Sequence, residues 1–553
     1  MLSNFKGIIL GIIISPTWCV KIAKESNISE NSKDYDEDLV TNSLGKLGTS
    51  AGILFFGTIL GIFFNFVARV IIARFYTPDD YGLFNLFFTV LSIFGGIGLL
   101  GLGSGISRFI GYYAGADEKH NIKAVEGWGL LIGVVSGISF GILLFFIAPW
   151  ISSFFSEKHI FVEYIRIVAV TLPFYIILNS LISIFRGHQR IKEKILFYDL
   201  GWNIIFLLFS LTVGFLAFPF IGVIWSMFAA TVIMSLSFFA YYLKKQKSLL
   251  KSVGSFSFAS SIGRMILIFS LPLVLVELMY DVLGWADTLM IGYFLTDSAV
   301  GFYNVARPLS TFISTGLSVT LFIYTPLVAG LYAQKKFKEN DIIFTVLTKW
   351  LCFFTLPLAM VLFFYSDQVI TLSFGGEYIP AVIPLQILAV AYFINNLLGP
   401  NGATLTVYGK TKFLMYTTSL AAGLNVVMNF ILIPIYGIIG AAIATGISII
   451  SINIIRTYKL YLMSGIHSLK LDVIKPVIST AFFGSVIVLA LTITLIPRTF
   501  QAIIAFILLS LLFLLMLLVT RSVTQQDIKL LIIVERKIGI NLSFLKKLLN
   551  RFV

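Results

Sequence analysis

Long apolar runs separated by short polar breaks make up most of this 553-residue chain. Fourteen stretches of about 20 residues, the length that crosses a ~30 Å hydrocarbon core, are read at 51–73, 81–104, 125–148, 162–184, 200–219, 221–243, 268–295, 299–330, 345–364, 381–401, 413–434, 437–461, 474–496 and 499–520. Most connections are short, so nearly every backbone polar group has to be satisfied inside a helix. The pattern predicts an all-α polytopic membrane protein of about fourteen transmembrane helices.

The pattern also repeats. Phe75-Tyr76-Thr77-Pro78-Asp79-Asp80-Tyr81-Gly82-Leu83-Phe84-Asn85 aligns with Phe294-Leu295-Thr296-Asp297-Ser298-Ala299-Val300-Gly301-Phe302-Tyr303-Asn304, each copy lying between two apolar segments. Gly187…Gly201-Trp202-Asn203 aligns, at nearly the same offset, with Gly409…Gly423-Leu424-Asn425. An even number of segments per copy predicts two six-helix lobes in a parallel pseudo-two-fold repeat, plus two extra C-terminal helices. That is a transporter architecture, with substrate handled between the lobes. The expected organisation is a cytoplasmic extension at 1–48, an N-lobe at 49–250, a C-lobe at 251–465, a hairpin at 466–524 and a tail at 525–553.

Within the extension, the apolar run 7–20 lacks a small-residue cleavage site and precedes the acidic stretch Glu25–Asp38. It is expected to rest on the membrane surface rather than add a fifteenth span. The tail puts Leu542, Leu545, Leu548, Leu549 and Phe552 against Lys546, Lys547 and Arg551, the pattern of a basic amphipathic helix on an anionic membrane.

Composition agrees with this class: 58% of residues are hydrophobic and 12% charged, about half the charged fraction of a soluble protein. A net charge of +14 would suggest nucleic acid in a soluble chain, but its distribution excludes that. Apart from Arg74, Lys158 and Arg498 in the odd-numbered loops, and Arg69, Arg166 and Arg307 inside apolar segments, the Lys and Arg fall in the termini, the even-numbered loops and the adjoining helix ends. By the positive-inside rule both termini are cytoplasmic, and the expected location is the cell membrane. Cys19 and Cys352 offer no disulfide framework, and His120, His159, His188 and His467 lie in separate loops. With no phosphate loop, metalloprotease helix or nucleophile elbow, neither a metal centre nor an enzyme is expected.

Each charge inside an apolar segment costs about 2.5–3.5 kcal/mol on insertion scales and so needs a reason. Arg69, Arg307 and Arg166 all fall toward the outer side, where guanidinium forks could receive a phosphate-bearing head group. Asn65 is grouped with them as a cavity residue. Snorkelling toward the interface is the competing role for Arg69 and Arg307, and an ion pair with Glu163 is the competing role for Arg166. Glu277 and Asp281 stack on one face of the seventh segment, with Asp287 one to two turns on. These acids are either an ion-coupling site or a static bridge to Arg69 or Arg307. Asn203, Asn425 and Asn429 are expected to pack between helices, and Asn395-Asn396 before Pro400-Asn401-Gly402 either packs or marks a helix break.

Three segments carry a resemblance. Arg74-Phe-Tyr-Thr-Pro-Asp-Asp-Tyr-Gly-Leu-Phe84, Asp287-Thr-Leu-Met-Ile-Gly-Tyr-Phe…Val300-Gly-Phe-Tyr-Asn-Val-Ala306 and Gly437-Ile-Ile-Gly-Ala-Ala-Ile-Ala-Thr445 resemble Wzx-type polysaccharide flippases. That family belongs to the multidrug/oligosaccharidyl-lipid/polysaccharide superfamily, with the MATE exporters and lipid II flippases. The resemblance covers about 50–520 and implies two six-helix bundles around a cavity of alternating access. It further implies that lipid-linked oligosaccharide, on a polyprenyl or dolichyl phosphate or diphosphate, moves from the cytoplasmic to the outer leaflet. A monomer is expected, with membrane lipids as partners and no cofactor beyond a coupling ion, H+ or Na+. The alternatives are a cation-coupled multidrug exporter, which the acids of the seventh segment favour, and a membrane glycosyltransferase or polymerase. The latter would need acids and bases on large outer loops; the longest outer loop here carries only Asp367 and Glu377.

Overall fold

The computed structural model describes residues 37–155, 160–245, 261–524 and 527. The apolar run 7–20 and the amphipathic tail face at 542–552 lie outside the described residues. The chain divides into two units, Met1–Gly52 and Ile53–Val553, and the packed helices belong to the second.

All regular structure among the described residues is helical. In chain order it runs α1 (Glu37–Phe75), α2 (Pro78–Gly98), α3 (Leu102–Gly115), α4 (Lys119–Phe155), α5 (Ile160–Gly187), α6 (Ile191–Lys194), a π-helical stretch (Ile195–Trp202), α7 (Asn203–Phe215) and α8 (Ile221–Lys245). It continues with α9 (Ser261–Phe294), α10 (Asp297–Ala333), α11 (Phe337–Phe364), α12 (Ser366–Ser373), a 3-10 turn (Gly376–Ala381), α13 (Val382–Leu397), α14 (Asn401–Val407), α15 (Thr411–Tyr436), α16 (Ile438–Ser464), α17 (Leu471–Thr492) and α18 (Arg498–Val519). Among the described residues, 12 helical segments are long and apolar enough to cross a membrane. The stretches expected at 268–295 and 299–330 fall on α9 and α10, helices of 34 and 37 residues. The protein is a multi-pass membrane protein.

The two aligned turns are built alike. Thr77 caps α2: its side chain accepts from the Asp80 amide while the Asp80 carboxylate accepts from the Thr77 amide, and Pro78 opens the helix where no amide is needed. Thr296 caps α10 by accepting from the Ala299 amide. The helices that these turns open pack on each other through the paired glycines. A Cβ on Gly82 would stand 1.8 Å from the Asp297 carbonyl oxygen, and one on Gly301 would stand 2.3 Å from that of Pro78. Each glycine therefore permits a backbone approach that any side chain would block. The Tyr81 hydroxyl donates to the Asn304 carbonyl at 3.3 Å across the same seam.

Two irregularities shape the interior. At Asn395-Asn396 both of the roles left open are present: α13 ends at Leu397, Gly399 takes φ +71° and α14 begins at Asn401, while Asn396 packs by donating to the Ile313 carbonyl at 2.7 Å. Between α6 and α7 the chain widens into the π-helix, where α1 lies close. A Cβ on Gly61 would meet the Asp199 carbonyl oxygen at 2.3 Å. π-helical turns leave backbone groups loosely paired and often accompany functional sites.

Candidate functional site

A cavity of about 240 Å³ opens between α1 and α10. Ile62, Asn65, Phe66 and Arg69 line it from α1; Asn304, Arg307 and Thr311 line it from α10, and Trp285 from α9. Of the predicted cavity residues, the fold brings Asn65, Arg69 and Arg307 together. Arg69 and Arg307 are 238 residues apart in sequence.

Arg69 is 9% exposed, so its charge needs fixed partners. Its Nε donates to Asn65 Oδ1 at 3.0 Å and its Nη1 to Asn85 Oδ1 at 2.9 Å. The guanidinium also lies over the rings of Phe88, at 5.3 Å, and Phe84, at 5.8 Å. Asn65 is itself held by donating to Asn203 Oδ1 at 3.0 Å, and Asn203 donates to the Asp199 carbonyl at 2.8 Å. A chain of neutral amides thus orients the guanidinium and leaves its charge uncancelled. Arg307 is half-buried, with its guanidinium 4.9 Å from the Trp285 ring. Among the described residues neither arginine forms an ion pair within 4 Å. Arg166 is placed differently. It is exposed, sits 5.0 Å from the Phe145 ring, is absent from the cavity lining, and forms no ion pair with Glu163 among the described residues.

Asp287 lies 2% exposed within α9 and is surrounded by neutral donors. Asn425 and Asn429 Nδ2 donate to its Oδ1 at 3.1 and 2.7 Å, and the Tyr303 and Thr445 hydroxyls donate to its Oδ2 at 2.5 Å each. The static bridge from Asp287 to Arg69 or Arg307 is therefore not formed; hydrogen bonds take its place, because four donors disperse the carboxylate charge. Glu277 and Asp281 belong to the same helix, but their side chains lie outside the described residues.

Asn429 Oδ1, beside Asp287, is buried with no hydrogen-bond partner among the described residues. The site is thus one buried carboxylate held by two amides and two hydroxyls, with an unpartnered amide oxygen beside it. No group of three His, Cys, Asp or Glu gathers among the described residues.

Sequence reasoning misses Asn85, Trp285, Tyr303 and Thr445, and it assigns Asn425 and Asn429 to packing alone. The four-residue spacing of that pair on one face of α15 is the available signal, and it names no partner 138 or 142 residues away.

The polysaccharide biosynthesis protein family matches residues 71–383. The chain is 32% identical over 136 residues to the teichuronic acid biosynthesis protein TuaB of Bacillus subtilis, covering 24% of this chain and 27% of that one. It is 27% identical over 168 residues to a probable low-salt glycan biosynthesis flippase, Agl15, of Haloferax volcanii, covering 30% and 35%. The chain thus spans about a third or less of the length of these relatives. The lipid II flippase MurJ, in an inward closed conformation, shares the fold with a TM-score of 0.63 at 15% identity, covering 83% of this chain and 98% of that one.

Proposed function

Because the chain belongs to the polysaccharide biosynthesis protein family, we propose that it is a flippase. It carries a lipid-linked oligosaccharide or polysaccharide repeat unit from the cytoplasmic to the outer leaflet of the cell membrane by alternating access. The two six-helix lobes move about the cavity between α1 and α10. The observation that carries this reading is the pair of arginines, Arg69 and Arg307, that line one cavity and form no ion pair among the described residues. Drawing a phosphate into a low-dielectric slot costs its hydration, and fixed guanidinium forks offset that cost. Asn65 orients Arg69, while Arg166 acts from the periphery as a lipid-facing cation. A cationic cavity disfavours the alternative of an exporter of cationic drugs. No catalytic role is assigned to any residue, and the working unit is a monomer.

Coupling is assigned to Asp287, with Glu277 and Asp281 as further acids on the same helix. An ion drives a conformational change only when it binds the two states unequally. The Asp287 site joins α9, α10, α15 and α16, all within the expected C-lobe, so an ion bound there would act by changing the packing of these four helices rather than by bridging the lobes.

The test is export of lipid-linked glycan in cells and proteoliposomes. Arg69→Ala and Arg307→Ala should each abolish export with the protein still folded in the membrane. Lys at either position should rescue only in part, because it keeps the charge and loses the fork. Normal export by both Ala variants would remove the phosphate-receiving role.

A further inference from the structure

We infer a second anion site, for a single phosphate group, at the far end of α5 and α8 from the turn at Thr77. A cavity of about 90 Å³ is lined there by Ile184, Phe185, His188, Arg190, Tyr242 and Lys245. A small cavity lined by a guanidinium, an ammonium and an imidazole suits one phosphate group.

The walls are fixed by the backbone and by a buried acid. Gln189 takes φ +58°, which turns the chain back. The His188 amide then donates to the Ile184 carbonyl at 3.1 Å and the Arg190 amide to that of Phe185 at 2.9 Å. Behind the cavity Glu126 is 0% exposed. Its Oε1 lies 2.5 Å from His188 Nε2, and its Oε2 accepts from the Tyr242 hydroxyl at 3.0 Å. Glu126 thus anchors two walls from beneath.

The cations are partly available. Arg190 is exposed and forms no ion pair with an acid among the described residues. Lys245 Nζ donates to Glu193 Oε1 at 3.3 Å and to the Tyr241 hydroxyl at 2.8 Å, which leaves it one N–H. A guanidinium fork with an ammonium across a small cavity is the chemistry of a phosphate mono- or diester site. The apolar spans end at Gly187 and Lys245, on the side that the Lys/Arg pattern assigns to the cytoplasm, where anionic lipids concentrate. The phosphate can come from an anionic phospholipid or from solution. The site stands apart from the cavity between α1 and α10 and does not depend on its role.

The experiment is thermal unfolding and native mass spectrometry of the purified full chain. The probes are phosphatidylglycerol, phosphatidylcholine and inorganic phosphate. Phosphatidylglycerol should raise Tm and remain bound in the mass spectrum where phosphatidylcholine does not. Arg190→Gln with Lys245→Gln should weaken that binding at least tenfold. Lys410→Gln with Lys412→Gln, in the aligned turn after Gly409, should leave it unchanged. Glu193→Gln should tighten it severalfold by removing the acid that competes for Lys245, an effect that a merely structural role would not produce. If the double variant unfolds, the single Arg190→Lys, which keeps the charge and loses the fork, should still weaken binding. A shift with inorganic phosphate as well identifies the source as soluble; a shift with phosphatidylglycerol alone identifies it as the lipid. Equal responses to phosphatidylglycerol and phosphatidylcholine without a phosphate response, or equal losses in the two double variants, would overturn the site.

Discussion

Single residues here show how a charge is kept in an apolar interior without being cancelled. Arg69 is surrounded by amide oxygens and aromatic faces, and Asp287 by two amides and two hydroxyls. Each bond to a charged group contributes roughly 1.5–3 kcal/mol, enough to offset much of the insertion cost while the charge stays usable. Asp287→Asn keeps the volume and removes the charge. In liposomes with imposed pH or Na+ gradients it should abolish gradient dependence while head-group binding persists. Flipping that still follows the gradient would move the coupling role to Glu277 and Asp281, tested as Glu277→Gln with Asp281→Asn.

Between elements, two sets of polar contacts join distant parts of the chain. Arg74, at the end of α1, donates to the carbonyls of Thr371, Leu372 and Ser373 at 2.8, 2.5 and 2.8 Å. These are the last three residues of α12, whose carbonyls form the negative end of a helix dipole. Arg498, at the start of α18, pairs with Asp367 in the first turn of α12 at 2.9 Å. Two of the three cations of the odd-numbered loops therefore converge on one short helix. Arg74→Ala should loosen this end and speed labelling of a cysteine at Thr311, in the cavity, by an impermeant reagent added outside. Unchanged labelling would show that the clasp does not limit opening.

The second contact is the ion pair of Lys349, on α11, with Asp527, both 2% exposed. Lys349 also donates to the Ser522 carbonyl at 2.7 Å, and Trp350 Nε1 to Asp527 Oδ1 at 3.0 Å. Breaking one side of such a pair leaves a bare buried charge. Lys349→Met should destabilise the protein by about 3–5 kcal/mol, and Lys349→Met with Asp527→Leu should recover most of that. Denaturant unfolding monitored by tryptophan fluorescence measures both; equal losses would mean the pair is not the anchor of this segment.

For the whole molecule, orientation rests on the Lys/Arg asymmetry, and the α2–α10 seam shows which helix ends meet. Cysteines replacing Asp80 and Ser298 should react with an impermeant reagent in intact cells, and one replacing Lys336 should not. Labelling at Lys336 alone would invert the molecule. The seam at Gly82 and Gly301 brings the starts of α2 and α10 together in the segment expected outside.

The sequence by itself determined the helical character and the membrane class, because a backbone in lipid must bond within its own segment and that requirement is local. The two aligned turns are legible in the sequence with Gly82 and Gly301 in register, while their threonine caps are not; the break after Asn396 stands there only as the alternative to packing, on Pro400-Asn401-Gly402. What only the tertiary structure decided is which polar residue faces which. Arg69 and Arg166 look alike in sequence, yet one lines the cavity and the other is exposed. Asp287 finds Thr445 at a separation of 158 residues, and Arg74 finds Ser373 at 299. A helix's own periodicity fixes which residues share a face; only packing fixes what that face meets.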